Sequence, residues 1–561
     1  MGEADHPQPE TEESLRGVPP KPAREALVAR VVPNIPTFAV DDGFWYSIPD
    51  HLAGDIQIGS IVRVPLGGRR VRGWVVETSS NREGKLKEIA GVSGAAAVFD
   101  DRLLRTLMWA AHHYVAPVSI LLGKATPPNL PGPIPDAPTS DPGIQPSAHP
   151  ILSLAVAAAV GERRPSRVVL GRWHPLDWLE SLAPILEAGR SAMVIAASAA
   201  EVGRICHRAR PIYGAALVEI ASTTDAEVTR GWELAQSSGR IVVGTPRVST
   251  WMVGGLSLLV VLEEGRRAMK DRQTPTVHVR EVVRKRSLIE GCAVAFFGPT
   301  PSVEVLSAGA EVTRVGTRAW ALVEIVDRSD EAPGSGQLSS RVVAAIRAMS
   351  DAGEDSFVFT SHRMIEQTVR EINARLGAPV AGIAATASPV TVGTEKDLAG
   401  LRPVSLTVAT NVDGMLMRPG YRTGEEALRQ LARLANSLKP GSGHRMMVQT
   451  FDVAGPLVQA LRKGDPIPYL ERILVERAKA GVPPSTDMIA VEVRGEQPAG
   501  LDGELRKLPD ASVMGPIELE KGRRWLLEGD LGRARPALRQ LARRWRDSGS
   551  TVRIDADPID L

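Results

Sequence analysis

Cysteine is nearly absent. The chain has 561 residues and only Cys206 and Cys292, far apart and without a CxxC spacing. That excludes a disulfide scaffold and a cysteine-based zinc site. No apolar run approaches the ~18 residues that a membrane-spanning helix needs, and residues 1–21 lack a signal peptide's apolar segment. The expectation is a soluble protein of a reducing, cytoplasmic compartment, with no membrane partner. An excess of charge is missing too: 67 Lys and Arg face 65 Asp and Glu. Whole-chain electrostatics therefore announce no nucleic acid, and any basic face must be local. Aromatic residues are 4 % of the chain, but ten residues are Trp, and Trp74, Trp173, Trp525 and Trp545 lie beside or near arginines. Such pairs can stack on bases, although a Trp in a chain that is 43 % hydrophobic is more often core.

What is present divides the chain into several domains, as its length requires. Residues 1–22 are polar and rich in Pro and Glu, and read as a disordered tail. Residues 27–32 read as a strand. The strands 60–65 and 70–77, joined by Gly67-Gly68, read as a hairpin carrying Arg63, Arg69, Arg70 and Arg72. These arginines either face phosphate or blunt an exposed strand. Residues 103–114 form an expected helix with Leu104, Leu107, Met108 and Ala111 on one face. The stretch 127–150, crowded with Pro, Gly, Ser and Asp, reads as a semi-rigid linker. Beyond it, short apolar runs (168–170, 193–197, 241–244, 256–264, 293–298) alternate with helical stretches, which predicts a parallel sheet covered on both faces. A second linker at 327–337 precedes a second unit of the same kind, with strands at 357–360, 390–394, 404–410 and 445–451. The last stretch, from 469, mixes helix and strand. Its arginine-rich helix places Leu538, Leu541, Ala542 and Trp545 on one face and Arg539, Arg543 and Arg546 on the other. The arginine face is solvated by default and phosphate-contacting by hypothesis.

The segment 167–179, RVVLGRWHPLDWL, has the form of a phosphate-binding loop without its chemistry. Val168, Val169 and Leu170 form a strand, Gly171 the turn, and residues 176–183 a helix ending before Pro184. Phosphate-binding loops use glycine amides, a Lys and a Ser or Thr at this place. Here Trp173, His174 and Pro175 fill the turn. Asp177 opens the helix, where its charge would repel a phosphate.

In order along most of the chain, these segments resemble the primosomal replication-restart (PriA) family of superfamily 2 DNA helicases. FWYSIPDHLAGDIQIGSIVRVPLGGRRVRGWVVE is similar to the family's domain for the 3′ end of a nascent strand. IVVGTPR, LLVVLEEG, LSSRVVAAIR and MVQTFDVAGPLVQAL align with the helicase lobes, and VRIDADP with the end of the C-terminal domain. The resemblance implies an α/β multidomain fold: an N-terminal mostly-β DNA-end-binding domain, two RecA-like parallel-sheet lobes and an α+β C-terminal domain. The expected boundaries are 23–130 for the end-binding domain, 131–150 for a linker, 151–325 for lobe 1, 326–339 for a linker, 340–466 for lobe 2 and 467–561 for the rest. By alignment with the family, Phe44, Gly67 and Lys87 fall on end-pocket positions, and Trp45 replaces the family's Asp. Thr245, Arg247 and Thr394 match motifs that line the strand-binding groove. With Arg69, Arg70 and Arg72, these are the expected DNA-binding residues.

The departures concern the motor. Asp177 stands where the family has its phosphate-binding Lys. The DEEH box becomes Leu262-Glu263-Glu264-Gly265, without the Mg²⁺-holding carboxylate or the histidine, and residues 436–440 lack the family's transition-state arginine. Gly171, Asp177, Leu262, Glu263 and Glu264 are thus read as the remnant of a nucleotide site, with no catalytic residue beyond Glu263. Neither ATP with magnesium nor zinc is expected as a cofactor, and no winged helix fits the short linker. The expected function is that of a nucleoid-associated replication-restart protein. It would bind branched or forked DNA and, by family resemblance, meet primosome and replisome-loading proteins and the single-stranded DNA-binding protein. Two other readings compete with it: an ATP-dependent 3′→5′ helicase with altered motifs, and a protein scaffold that binds no DNA.

Overall fold

The computed structural model of the chain describes residues 27–80, 85–138, 143–329, 331–332, 336–384, 388–496, 498 and 500–560. The expected tail at 1–22 lies outside them. Four sheets organise the fold.

The first is a five-stranded antiparallel sheet in the order Phe44–Ser47, Val28–Pro33, Arg69–Ser79, Ile61–Leu66, Gly91–Ser93. Its hairpin turns at Gly67 and Gly68, whose φ angles of +56° and +77° lie in the left-handed region that a two-residue hairpin turn requires. Alternation along the strands buries both faces. Val31, Tyr46, Val62, Val64 and Val75 close one small core, whereas Val32, Ile61, Trp74 and Val76 meet the helices Asp101–His113 and Val118–Ala125. The first of these helices starts where Asp100 accepts the Leu103 N–H at 2.8 Å, an N-cap, and it buries Leu103, Leu104, Leu107 and Ala111.

Lobe 1 is a seven-stranded parallel sheet, ordered Glu311–Arg314, Arg167–Leu170, Ala293–Gly298, Leu256–Leu262, Ser191–Ile195, Ile241–Gly244, Leu217–Ile220. Side chains alternate between two apolar layers: Val168 and Leu170 point to one, Val169 to the other. That is why its strands read as unbroken apolar runs. The strands Leu217–Ile220 and Glu311–Arg314 escape such a reading because, at the sheet edges, each carries charged residues. After Gly171 the chain does not form the single expected helix. Asp177–Leu182 is a 3-10 turn, and a separate helix Ala183–Glu187 begins there, because Pro184 sits in a first turn, where its missing N–H is no loss.

Lobe 2 is a six-stranded parallel sheet, ordered Val323–Asp327, Arg445–Thr450, Leu406–Ala409, Ser356–Phe359, Val390–Gly393, Ala381–Ile383. Its edge strand Val323–Asp327 therefore lies upstream of the proline- and glycine-rich segment at 327–337. A four-stranded antiparallel sheet follows (Ala511–Leu519, Gly522–Gly529, Asp487–Arg494, Thr551–Ala556), packed against the helix Ala534–Asp547.

Proline-rich residues 127–138 are laid along lobe 1. The Asn129 N–H donates to Thr229 Oγ1 at 3.1 Å and the Gly132 N–H to Glu233 Oε1 at 2.7 Å, while Arg240 Nη2 donates to the Asp136 carbonyl at 3.1 Å. A segment poor in amide donors is thus tied down by a few side-chain bonds. The chain's end is a second tie. Lys270 Nζ reaches Asp555 Oδ1 at 2.6 Å and the Ala556 and Asp557 carbonyls, and His113 Nε2 lies 2.9 Å from Asp557 Oδ2. The Tyr421 hydroxyl donates to the Pro558 carbonyl at 2.8 Å. One short segment thereby touches the N-terminal domain and both lobes.

Candidate functional site

The strand Arg167–Leu170 delivers Gly171 to the edge of the cleft between the lobes. A Cβ there would lie 2.8 Å from that of Val315, so the turn is tight. The next side chains fill the space such a turn usually leaves open. Trp173 is 7 % exposed, and its indole N–H donates to Glu263 Oε1 at 2.9 Å. The Trp173 carbonyl in turn accepts from the Trp178 indole at 3.0 Å. Asp177 is exposed at the start of its 3-10 turn. Leu262 is buried in the apolar layer with Trp178 and Phe297.

Glu263 has φ +50°, an uncommon conformation for a side chain of its size. Its other oxygen lies 3.1 Å from Arg433 Nε of lobe 2 and 3.4 Å from Arg266 Nη1. Burial by itself would raise this carboxyl, but Arg433, Arg266 and the Trp173 N–H hold it below its ordinary value. Glu263 thus accepts one hydrogen bond, from the indole, and is otherwise held by charge from two guanidinium groups.

Lobe 2 meets it with one helix face. In Thr423–Asn436 the leucines Leu428, Leu431 and Leu434 enter the apolar core. Glu425, Glu426, Arg429 and Arg433, spaced by three and four, stand together on the face turned to lobe 1. Arg429 contacts Glu425 and Glu426, both at 2.5 Å. Its guanidinium occupies the space beside Gly265, where a Cβ would fall 2.5 Å from Arg429 Nη2. Nearby, Glu304 is 2.6 Å from Arg422 and 3.5 Å from both Arg280 and Arg477, and Arg477 reaches Glu425 at 2.5 Å. Glu264 accepts the Ser302 N–H at 2.7 Å and lies 3.4 Å from Arg280. Its carboxyl is raised by burial, against the pull of Arg280. Arg172 crosses the cleft and donates to the Asn436 and Leu438 carbonyls at 3.2 and 3.0 Å. The residues 436–440 thus keep a contact with lobe 1 through their backbone. Sequence reasoning missed Arg422, Glu425, Arg429, Arg433, Glu304 and Arg477. The signal was the charge periodicity of 422–433, which an isolated helix would also use for solubility.

The expected DNA-binding residues divide into three places. Phe44, 39 % exposed, and Trp45 are on the edge strand, Trp45 opposite Arg30. Lys87 lies beside that strand, its carbonyl accepting the Ser47 N–H at 3.0 Å. The Tyr46 hydroxyl donates to the Pro65 carbonyl at 3.3 Å, which draws the same strand toward Gly67 and the exposed Arg69 and Arg70. Arg72, farther along the hairpin, faces a cleft of about 920 Å³ shared with lobe 1, and Arg247 lines its opposite wall. Thr245 precedes Arg247 as the cap of the 3-10 turn Pro246–Thr250. Thr394 stands apart on lobe 2, its hydroxyl and N–H both bonded to Asp397 in a capping box.

The arginine-rich terminal helix requires a correction. Arg539 pairs with Asp41, and the guanidinium groups of Arg539 and Arg546 lie 5.4 and 5.0 Å from the Phe38 ring centre. Arg535 donates to the His113 carbonyl at 3.1 Å. Two of the three arginines expected on an open face are thus spent docking the helix on the N-terminal domain, where desolvated cation–π and ionic contacts are stronger than at the surface. Arg543 remains exposed, 3.8 Å from Asp547. Among the described residues, no three His, Cys, Asp or Glu side chains are grouped to hold a metal ion, and no helix is long and apolar enough to cross a membrane.

A small mostly-β domain is joined to two parallel-sheet lobes that face one cleft. Residues 30–127 match the family model of the PriA 3′ DNA-binding domain (3′BD). Replication restart protein PriA of Treponema pallidum is 26 % identical over 349 residues, 58 % of this chain and 53 % of that protein, so that match spans about half of the relative. Probable replication restart protein PriA of Mycobacterium leprae is 24 % identical over 619 residues, covering 91 % of this chain and 94 % of that one. Over most of its length the chain is thus similar to replication restart proteins of the PriA family. Among solved structures, S. cerevisiae Dbp5 bound to RNA and ADP BeF3 aligns with a TM-score of 0.36 at 11 % identity, covering 58 % of this chain and 93 % of that one. The DUF1998 helicase MrfA bound to DNA and AMPPNP aligns with a TM-score of 0.36 at 12 % identity, covering 61 % and 55 %.

Proposed function

We propose that this protein binds branched or forked DNA at stalled replication forks and recruits replisome-loading partners without unwinding DNA itself. Primosome proteins and the single-stranded DNA-binding protein are the partners suggested by the family. The observation that carries the reading is the chain of contacts Trp173–Glu263–Arg433 across the cleft. Phosphoryl transfer depends on positioned cations and a metal around the phosphates. Here an indole and two arginines take up the carboxylate, Leu262 offers no metal ligand, and Arg429 fills the space beside Gly265. These residues do not fit a nucleoside triphosphate with its metal, and the reading requires neither that nor zinc. Purified protein with forked DNA should release no phosphate from ATP above background. DNA-stimulated turnover that disappears in Glu263→Gln would instead establish the helicase reading.

DNA affinity is assigned to the N-terminal domain. Replacing Arg69, Arg70 and Arg72 with Ala should weaken fork binding and flatten the log–log salt dependence by up to about two to three units, if each meets a phosphate. Fluorescence anisotropy with a labelled fork between low and moderate salt measures this. An unchanged slope would mean that these arginines only shield the hairpin.

A further inference from the structure

We propose that the C-terminal ends of lobe 2's strands form a docking surface for an acidic amphipathic helix of a partner protein. The proposal rests on the partner-recruiting reading above and gives it a place on lobe 2 and the helix Ile467–Ala480.

Two neighbouring hollows share Asp413. The larger, about 410 Å³, is lined by Phe359, Met364, Met415 and Phe451. Leu416, Leu457, Val458 and Tyr469 line the smaller, about 200 Å³. Phe451 is 66 % exposed, and Met417, at the end of the helix Val412–Leu416, is 82 % exposed. Leu416 is exposed as well. Single exposed apolar side chains need no explanation, but three around one pair of hollows mark a contact surface. Phenylalanine and methionine are enriched in such surfaces, where they present large area and adapt to a partner.

The surface is also held in place without a partner. Asp413 accepts from the Thr450 hydroxyl at 2.7 Å and from the Phe451 N–H at 3.0 Å, which fixes the backbone of Phe451 against the helix Val412–Leu416. Asn411 accepts from the Gly414 N–H at 2.8 Å and caps that helix, which carries Leu416. A preformed surface spends little binding free energy on ordering itself.

The charges define the occupant. Arg363 and Arg418 are exposed, and among the described residues no carboxylate pairs with either. Arg328 gives its guanidinium to the Gln337 and Gly336 carbonyls, so its charge is not cancelled. Asp413, by contrast, is taken up by its two donors. Uncancelled cations beside apolar side chains complement a segment with one acidic and one apolar face. A helix suits this place better than an added strand. Ser356–Phe359 and Arg445–Thr450, whose ends line the larger hollow, are interior strands, so they offer no open ladder edge. A nucleic-acid strand suits it less. Asp452 lines the smaller hollow, and Arg472 there is already paired with Glu476 at 2.8 Å, so a phosphate would be repelled.

The test uses the full chain and two fluorescein-labelled helical peptides. Both carry leucines at helical spacing on one face, with Glu on the other face of the first and Lys on that of the second. The Glu peptide should bind, and the Lys peptide about tenfold more weakly or less. Phe451→Ser and Met417→Ser should each weaken the Glu peptide about fivefold or more. Arg418→Glu should weaken the Glu peptide and strengthen the Lys peptide, a reversal that a poorly folded variant would not give. Equal binding of both peptides, or equal affinity in Phe451→Ser and the parent, overturns the proposal. Displacement of the peptide by forked DNA would make the surface a nucleic-acid site, and a dimeric parent with a monomeric Phe451→Ser would assign it to a second copy; either result overturns the proposal. Immobilised single-stranded DNA-binding protein gives the second readout. If it retains the parent and Phe451→Ser alike while the Glu peptide does not bind, the surface is wrong and the recruiting reading stands. If neither binds, both fall.

Discussion

Glu304→Ala is expected to lower the stability of the helicase-like lobes by about 3–5 kcal/mol, the usual loss when one partner of a buried ion pair is removed. Glu304 is 8 % exposed and lies within 3.5 Å of Arg422, Arg280 and Arg477, which belong to lobe 2, lobe 1 and the helix Ile467–Ala480. Arg280 and Arg477 are themselves 2 % and 3 % exposed. Without the carboxylate, three guanidinium groups remain close together with less compensating charge and little access to water. Glu304→Gln should fall between Ala and the parent, since it keeps the shape and a hydrogen-bonding oxygen. Urea unfolding followed by tryptophan fluorescence measures the midpoint, and a chain of several domains should show the shift in the transition of the lobes. A loss below about 1 kcal/mol would mean that the arginines find other partners, and that the lobes are not held together by this carboxylate.

Acid should open the same contacts. Burial raises the Glu304 and Glu263 carboxyls, but the arginines around each outweigh it and hold both below their ordinary values, Glu304 far below. Asp557 is likewise subject to burial, yet its bond to His113, with Lys270 and Arg535 nearby, brings it down to about 2. A carboxyl depressed in the folded state contributes stability that is present above its unfolded value and is lost as pH falls through the folded one. For Asp557 the window runs from about pH 4 down to about pH 2, and the contribution at neutral pH is about 2 kcal/mol. Glu264 and Asp41 act with the opposite sign, because burial raises both in the folded state. Their share favours the folded state at low pH and offsets part of the loss. The expected result is a urea midpoint that declines below about pH 6.5, where the unfolded chain takes up protons that the buried His149, His174 and His278 refuse in the folded state, and that falls further below about pH 4. Asp557→Asn should lower the midpoint at pH 7 and leave a shallower acid limb. A midpoint equal at pH 7 and pH 3 would show that these carboxylates are not depressed in the folded protein.

Much of the architecture was legible in one dimension because local patterns decide it. The runs Val168–Leu170, 241–244 and 293–298 are apolar without alternation, a composition stable only in a strand covered on both faces. The Gly67-Gly68 pair between alternating segments admits few structures other than a tight hairpin. Asp177, Leu262 and Gly265 could be recognised as departures because each stands in a motif with a definite spacing. Where a residue's meaning depends on a distant partner, the chain order was silent. Arg429 and Arg433 have the periodicity of an ordinary solvated helix face, and only the closure of lobe 2 on lobe 1 turns them toward Gly265 and Glu263. Arg539 and Arg546 have the same appearance, yet docking of the terminal helix places them over Phe38, some 500 residues earlier in the chain. Arg72 and Arg247 are opposed across one cleft for the same reason. Secondary structure follows from the spacing of apolar side chains, which the sequence contains. The partner of an arginine is set by which surfaces meet, because charge attracts equally water, phosphate or a carboxylate until packing removes the alternatives.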